Sequence, residues 1–249
     1  MFNGLWNEFL ISEHKEKYDL IFLSHVLEHI VNPMKFIREC NVFCNKYMFI
    51  EVPCFDIKFR EEPYGMFAEE HVNYFTIQSL CKLMQNAGFS LVNFEIISGF
   101  DLRLPNGYPA ISTIWKKVPQ SKLNDIYNSN DCLDRYINEN EQLLQQVNEK
   151  IKAIPNNERL ALWGIAHHAP LLLANTSLAD KNIVKMYDSD KRKRGIKIMN
   201  IPITPFNKED VLSGKVDSIL ITTYTAQKTI TKLIEDMHLS CKIYTLYNV

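Results

Sequence analysis

The stretch Tyr18 to Pro33, YDLIFLSHVLEHIVNP, constrains this chain more than any other, because an apolar run hands over to a polar, histidine-rich turn. Leu20 to Leu23 place no polar residue between them, a pattern that suits a parallel strand covered on both faces. The strand is expected to end near Ser24 and His25. Asn32 and Pro33 then supply an N-cap and a first helical position, with Met34, Ile37 and Val42 among the apolar residues of the helix behind them. Open α/β sheets bind ligands just past the carboxyl ends of their strands. His25, Glu28 and His29 fall there and are site candidates.

Further along, Tyr47 to Val52 reads as a second apolar strand ended by Pro53, with Glu51 aimed either at the crevice or at solvent. Cys54 to Tyr64 has no helical stripe and fits a loop over the site. Met66 to Phe75, MFAEEHVNYF, gathers acids and a histidine between aromatic residues. Thr76 caps the next helix, whose apolar face is Leu80, Leu83 and Met84 and whose stop is Gly88. Phe89 to Ile97 and Ala110 to Trp115 read as strands, joined through the turn chemistry of Pro105-Asn106-Gly107. Arg103 in that connection faces a phosphate or carboxylate, or simply solvent.

From Ser121 to Ile154, the apolar residues Ile126, Leu133, Ile137, Leu144, Val147, Ile151 and Ile154 draw one stripe along one or two helices, for core or interdomain packing. Pro155-Asn156-Asn157 marks a boundary. Four apolar runs then alternate with helical segments: Leu160 to Ile165, Ile183 to Tyr187, Ser218 to Thr222 and Lys242 to Leu246. That alternation argues a small parallel sheet with covering helices, a Rossmann-like unit with Gly164 at its first turn and Asp188 ending its second strand. Lys191 to Arg194 is the one dense charge run and binds a diphosphate, serves as a localisation signal or stays solvated.

Composition excludes several classes. A net charge of -1 with interspersed signs gives no general attraction for nucleic acid or an anionic membrane. No apolar run approaches the ~20 residues of a membrane-spanning helix, and the first residues lack the pattern of a signal peptide, so a cytoplasmic location is expected. The six cysteines form no C-x-x-C pair, so thiols are expected rather than disulfides, and no metal site is expected.

YDLI, HVLEHI and the following proline resemble the fourth strand and loop of class I S-adenosylmethionine-dependent methyltransferases, which often show YDxI followed by HVLEHxxxP. Glu70-His71-Val72-Asn73-Tyr74-Phe75 is similar to the EHxxYF segment of sugar C-methyltransferases, and the chain after Glu158 resembles their C-terminal domain. The resemblance implies an α/β fold: an incomplete class I methyltransferase sheet over 1–118, a helical connector over 119–156 and a second small Rossmann-like domain over 157–249. The residues before Tyr18 are too few for the three strands that precede this point in the family. No G-x-G occurs among the eight glycines, and the N-terminal zinc module has no counterpart. The chain is therefore expected to be a truncated or split form that binds S-adenosylmethionine weakly or not at all by itself.

Methylating a carbon beside a ketone needs a base, a group to steady the enolate and a methyl donor held in line. The resemblance gives the base to His71, with Glu70 and His29 as its catalytic companions, and puts Ser24, His25 and Glu28 beside the cofactor S-adenosylmethionine. Ala68 stands where family members have a tyrosine. Gly164, His167, Asp188, Tyr224 and Arg103 are the candidates for binding a nucleotide-linked keto sugar. The alternative is a non-catalytic relative that binds a sugar nucleotide or a partner protein. A homo-oligomer, or a partner chain supplying the missing half, is expected in either case.

Overall fold

The structure is a computed structural model that describes residues 4–11, 16–57, 59, 61–68, 70–97, 109–119 and 131–248. The chain divides into two compact units, Met1–Phe59 with Met66–Asp134 and Arg60–Gly65 with Arg135–Val249.

The first unit contains α1 (Trp6–Ile11), β1 (Tyr18–Ser24), α2 (Pro33–Phe43), β2 (Cys44–Pro53), α3 (Ile77–Asn86), β3 (Phe89–Ile97) and β4 (Ala110–Lys117). Its sheet runs in the order β1-β2-β4-β3, with β1 and β2 parallel and β4 antiparallel to both of its neighbours. Capping follows the sequence signals. Asn32 Oδ1 accepts from the Lys35 amide at 3.0 Å, and Thr76 and Ser79 exchange side-chain and backbone bonds in a capping box. Gly88 takes a φ of 89°, the left-handed stop that glycine tolerates.

One face of this sheet carries Met48, Ile50, Val52, Ile111 and Trp115, which pack with Phe36, Ile37 and Cys40 of α2 and Leu80 and Met84 of α3. The other face differs from expectation. Leu20 and Phe22 of β1 are 55% and 63% exposed, so among the described residues the apolar run of β1 forms a parallel strand covered on one side only. Register places Leu20 beside Tyr47, and Phe22 beside Phe49 and then Ile114, along this face. Phe22 and Phe49 stack with centroids 4.5 Å apart. Val42, read from sequence as part of the apolar stripe of α2, is also exposed.

The second unit contains most of α4 (Asp131–Lys152), then β5 (Leu160–Trp163), α5 (His168–Asn175), β6 (Ile183–Tyr187), β7 (Lys197–Ile198), β8 (Ile201–Thr204), α6 (Lys208–Leu212), β9 (Ser218–Ile221), α7 (Gln227–Asp236) and β10 (Lys242–Thr245). The order is β10-β9-β5-β6-β8-β7, parallel except for β7. Alternate residues of β5 and β9 enter two cores on opposite faces. Leu160, Leu162 and Leu220 meet Val147 and Ile151 of α4 and Leu172 of α5. Ala161, Trp163, Ile219 and Ile221 meet Val211 of α6 and Ile230 and Ile234 of α7. The stripe of α4 thus packs into the core of this unit from Val147 to Ile154, while Leu133 is exposed and Ile126 lies outside the described residues. The β7–β8 hairpin was not legible in the sequence. Its turn is Met199-Asn200, both at positive φ, without the Asn-Gly or Asp-Gly signature.

Candidate functional site

Where β1 ends, the chain turns at His25, whose φ of 50° lies in the left-handed region that non-glycine residues rarely occupy. The His25 amide donates to the Glu51 carbonyl at 2.9 Å, continuing the pairing with β2. A short 3-10 turn, Leu27–His29, then sends Leu27 and Glu28 inward. The Glu28 side chain is 1% exposed. Its Oε1 lies 3.2 Å from His25 Nδ1 and 3.8 Å from His29 Nε2, and its Oε2 is buried without a hydrogen-bond partner. The Glu28 hydrogen bond holds His25 above the ordinary imidazole range, against the opposing pull of partial burial.

The segment 70–75 is tied to this turn through backbone. The amides of Val72 and Asn73 donate to the Glu28 carbonyl at 2.9 and 3.1 Å, and Asn73 Nδ2 donates to the Ile30 carbonyl at 2.6 Å. His29 Nδ1 lies 2.9 Å from the Glu70 carbonyl, an acceptor only, so Nδ1 is the donor. The His29 and His71 rings meet edge to face with centroids 4.8 Å apart. Burial lowers the His71 pKa; Glu28 acts in the opposite direction, and the neighbouring His29 adds to the lowering. The Tyr74 hydroxyl accepts from the Ala68 amide at 3.1 Å.

A second row of polar groups crosses the strands beside the cluster. Glu51 Oε1 accepts from Ser24 Oγ at 2.8 Å and Oε2 from Ser112 Oγ at 2.6 Å. His25 Nε2 lies 3.8 Å from Glu51 Oε1. Of the two readings left open for Glu51, the structure takes the one at the carboxyl edge of the sheet. Ser24, His25, Glu28, His29 and His71 are therefore brought together, while Glu70 contributes its carbonyl and leaves its carboxylate exposed. Ser112 and Asn73 were missed in the sequence because their roles depend on strand register and loop docking.

In the second unit, Gly164 follows β5 at a φ of 100°, with its amide on the Tyr187 carbonyl at 2.9 Å. A Cβ there would come within 2.6 Å of Thr223 Cγ2, so only glycine fits this close approach. Asp188 is buried at the end of β6, with Oδ1 accepting from the Asp190 amide and Oδ2 paired to Lys193 Nζ, both at 2.8 Å. Part of the basic run is thereby used inside its own loop, since Arg192 also pairs with Asp190. His167 is exposed ahead of α5. Tyr224 packs on Tyr247 with centroids 5.4 Å apart. His168, next to His167 in the chain, is buried, with Nδ1 3.9 Å from Glu62 Oε1, Nε2 without a hydrogen-bond partner and its ring 5.7 Å from that of Tyr247, whose hydroxyl also lacks one. Arg103 lies outside the described residues.

All six cysteines remain outside any disulfide, and burial pushes the Cys40 and Cys54 thiols up to about 12 and about 11, far from reactive thiolates. Among the described residues no helix is long and apolar enough to cross a membrane.

Comparison with known proteins places the first unit. Residues 6–93, which include β1, its turn and segment 70–75, match the family described as a methyltransferase domain. This part of the chain is methyltransferase-like. Among solved structures, the chain is similar to magnesium protoporphyrin IX methyltransferase from Synechocystis PCC 6803, crystallised with bound SAH, at 14% identity and a TM-score of 0.30. The match covers 42% of this chain and 47% of that one, so the chain spans about half the length of this relative. No curated protein matches the chain.

Proposed function

We propose that the chain works as a methyltransferase on a carbon beside the ketone of a nucleotide-linked sugar, with His25 as the base that takes the α proton. The observation that carries this reading is the His25–Glu28 pair at the carboxyl end of β1. A buried carboxylate on Nδ1 orients the imidazole and leaves Nε2 as the proton acceptor, the arrangement a general base requires. His71, the base implied by resemblance, packs its ring edge to face on His29, and the proposed reading gives it the role of a neighbour that shapes the cluster. Glu70 supports His29 through its carbonyl.

S-adenosylmethionine supplies an electrophilic methyl group when bound. The Ser24–Glu51–Ser112 row gives polar groups suited to one wall of its site, whereas the sequence contains no G-x-G turn to cradle the rest. In the second unit, the crevice past β5, with Gly164, His167, Asp188 and Tyr224, is the proposed place for the nucleotide-linked sugar. A non-catalytic relative that binds a sugar nucleotide or a partner chain is the second reading. It is favoured by the apolar face of the first sheet that the described residues leave exposed.

Two measurements test this. Titration calorimetry of the chain with S-adenosylmethionine should show weak binding or none, and tight binding would mean that another loop replaces the glycine turn. Exchange of the α hydrogen of a nucleotide-linked keto sugar with deuterated water should slow by about 10²-fold or more in His25→Gln, the scale of one general base. Normal exchange in His25→Gln together with its loss in His71→Asn would return the base to His71.

A further inference from the structure

We infer that Glu28, His29 and His71 form a binding site for one divalent transition-metal cation. One ligand atom from each of these residues lies within 4.8 Å of the other two. Cation bonds of ~2.0–2.2 Å to such atoms put ligands roughly 3–3.5 Å apart, so side-chain rotation of about an ångström closes the set. The donors come from two segments far apart in sequence. Backbone bonds from Val72 and Asn73 to the Glu28 carbonyl hold those segments together, so the set is assembled before any ion arrives.

Two further features point to a cation rather than to a hydrogen-bonded cluster. First, Glu28 Oε2 is buried and unpartnered, which is costly for a carboxylate unless something positive meets it. Second, His29 Nδ1–H donates to the Glu70 carbonyl, so in the neutral ring the lone pair is on Nε2, 3.8 Å from Glu28 Oε1. A carbonyl on the far nitrogen is the usual outer support of a metal-bound imidazole.

Two imidazoles and one carboxylate suit zinc, cobalt, nickel or iron(II) better than magnesium or calcium, which prefer all-oxygen sets. Glu28 divides its work. Oε1 lies 3.2 Å from His25 Nδ1, while Oε2 has no hydrogen-bond partner and is the oxygen assigned to the proposed cation. The site does not depend on which substrate the chain takes.

Cobalt(II) is the probe. Added to the untagged full chain after treatment with a chelator, it should bind one ion per chain and give visible d–d bands without the near-ultraviolet charge-transfer absorption of a cysteine thiolate. In the unaltered chain, its paramagnetism should broaden the ring signals of His29 and His71 first, and added zinc should displace it. His71→Ala and Glu28→Gln should each weaken binding at least about tenfold, since even outer-shell changes reach 10–100-fold. His238→Ala, an exposed site far along the chain, should leave affinity unchanged. Absence of one-to-one binding, thiolate absorption, or broadening confined to other histidines would each overturn the inference. The broadening test needs no variant, so a misfolded Glu28→Gln would not rescue it.

Discussion

In the second unit, β5 and β9 bury every residue between helices on both faces of the sheet, whereas β1 in the first unit, with an equally apolar run, leaves Leu20 and Phe22 more than half exposed. The strands read alike in sequence. They differ in what flanks them: α4 and α5 cover one face of the second sheet and α6 and α7 the other, while α2 and α3 cover a single face of the first. A continuous apolar run therefore records the surroundings a strand is suited to, not the surroundings that the described residues provide. A contiguous uncovered apolar strip of this kind is a mark of an interaction surface.

The comparison breaks most visibly in the cores. Leu162→Ala in β5 should cost about 3–4 kcal/mol, within the range for buried Leu truncations, read as a shift of the urea midpoint followed by the fluorescence of nearby Trp163. Phe22→Ala in β1 should cost less than about 1 kcal/mol, because little of its surface leaves solvent on folding. Equal costs would show that the exposed face is covered in solution.

A second difference lies in pH. Burial pushes His168 down to about 4, and the facing groups are Glu62, His167 and Tyr247, none within hydrogen-bond distance of its ring nitrogens. An imidazole in the unfolded chain titrates near ~6.5, so between that value and about 4 the unfolded state binds more protons than the folded one. Stability from this residue is complete above the unfolded pKa and falls as pH drops through the window, by about 3 kcal/mol in all. Denaturation of the second unit followed from neutral pH downward checks this. His168→Leu should flatten the slope, and an unchanged slope would locate the acid sensitivity elsewhere.

The smallest expected effect sharpens the comparison at the bare face. Leu20→Ser with Phe22→Ser should change stability by no more than about 1 kcal/mol yet reduce self-association in sedimentation. Loss of folding instead would mean that this face packs against something in the working protein.

Much of the site could be read from residues alone. HVLEHI after a strand placed His25, Glu28 and His29 at a carboxyl edge, and the helix starts at Pro33 and Ile77 follow their Asn32 and Thr76 caps. What could not be read was partnership. That Glu28 rather than Glu70 supplies the buried carboxylate follows from the inward turn of a 3-10 segment, and that Glu51 joins Ser24 to Ser112 follows from cross-strand register. At the other crevice, Asp188 ends its strand as expected, but Lys193 from the following loop occupies its carboxylate.

The sequence by itself determined the local elements of this protein: strands from apolar runs, helix starts from Asn and Thr caps, the stop at Gly88 and the alternation that builds the second sheet. These depend on neighbours a few residues apart, whose propensities and hydrogen bonds act within one turn or one strand. The tertiary structure alone decided which faces are buried, which acid meets which histidine and that His29 and His71 stand ring to ring. Those outcomes require residues dozens of positions apart to be brought within a few ångströms, and no local preference encodes the register or the docking of a loop that does so.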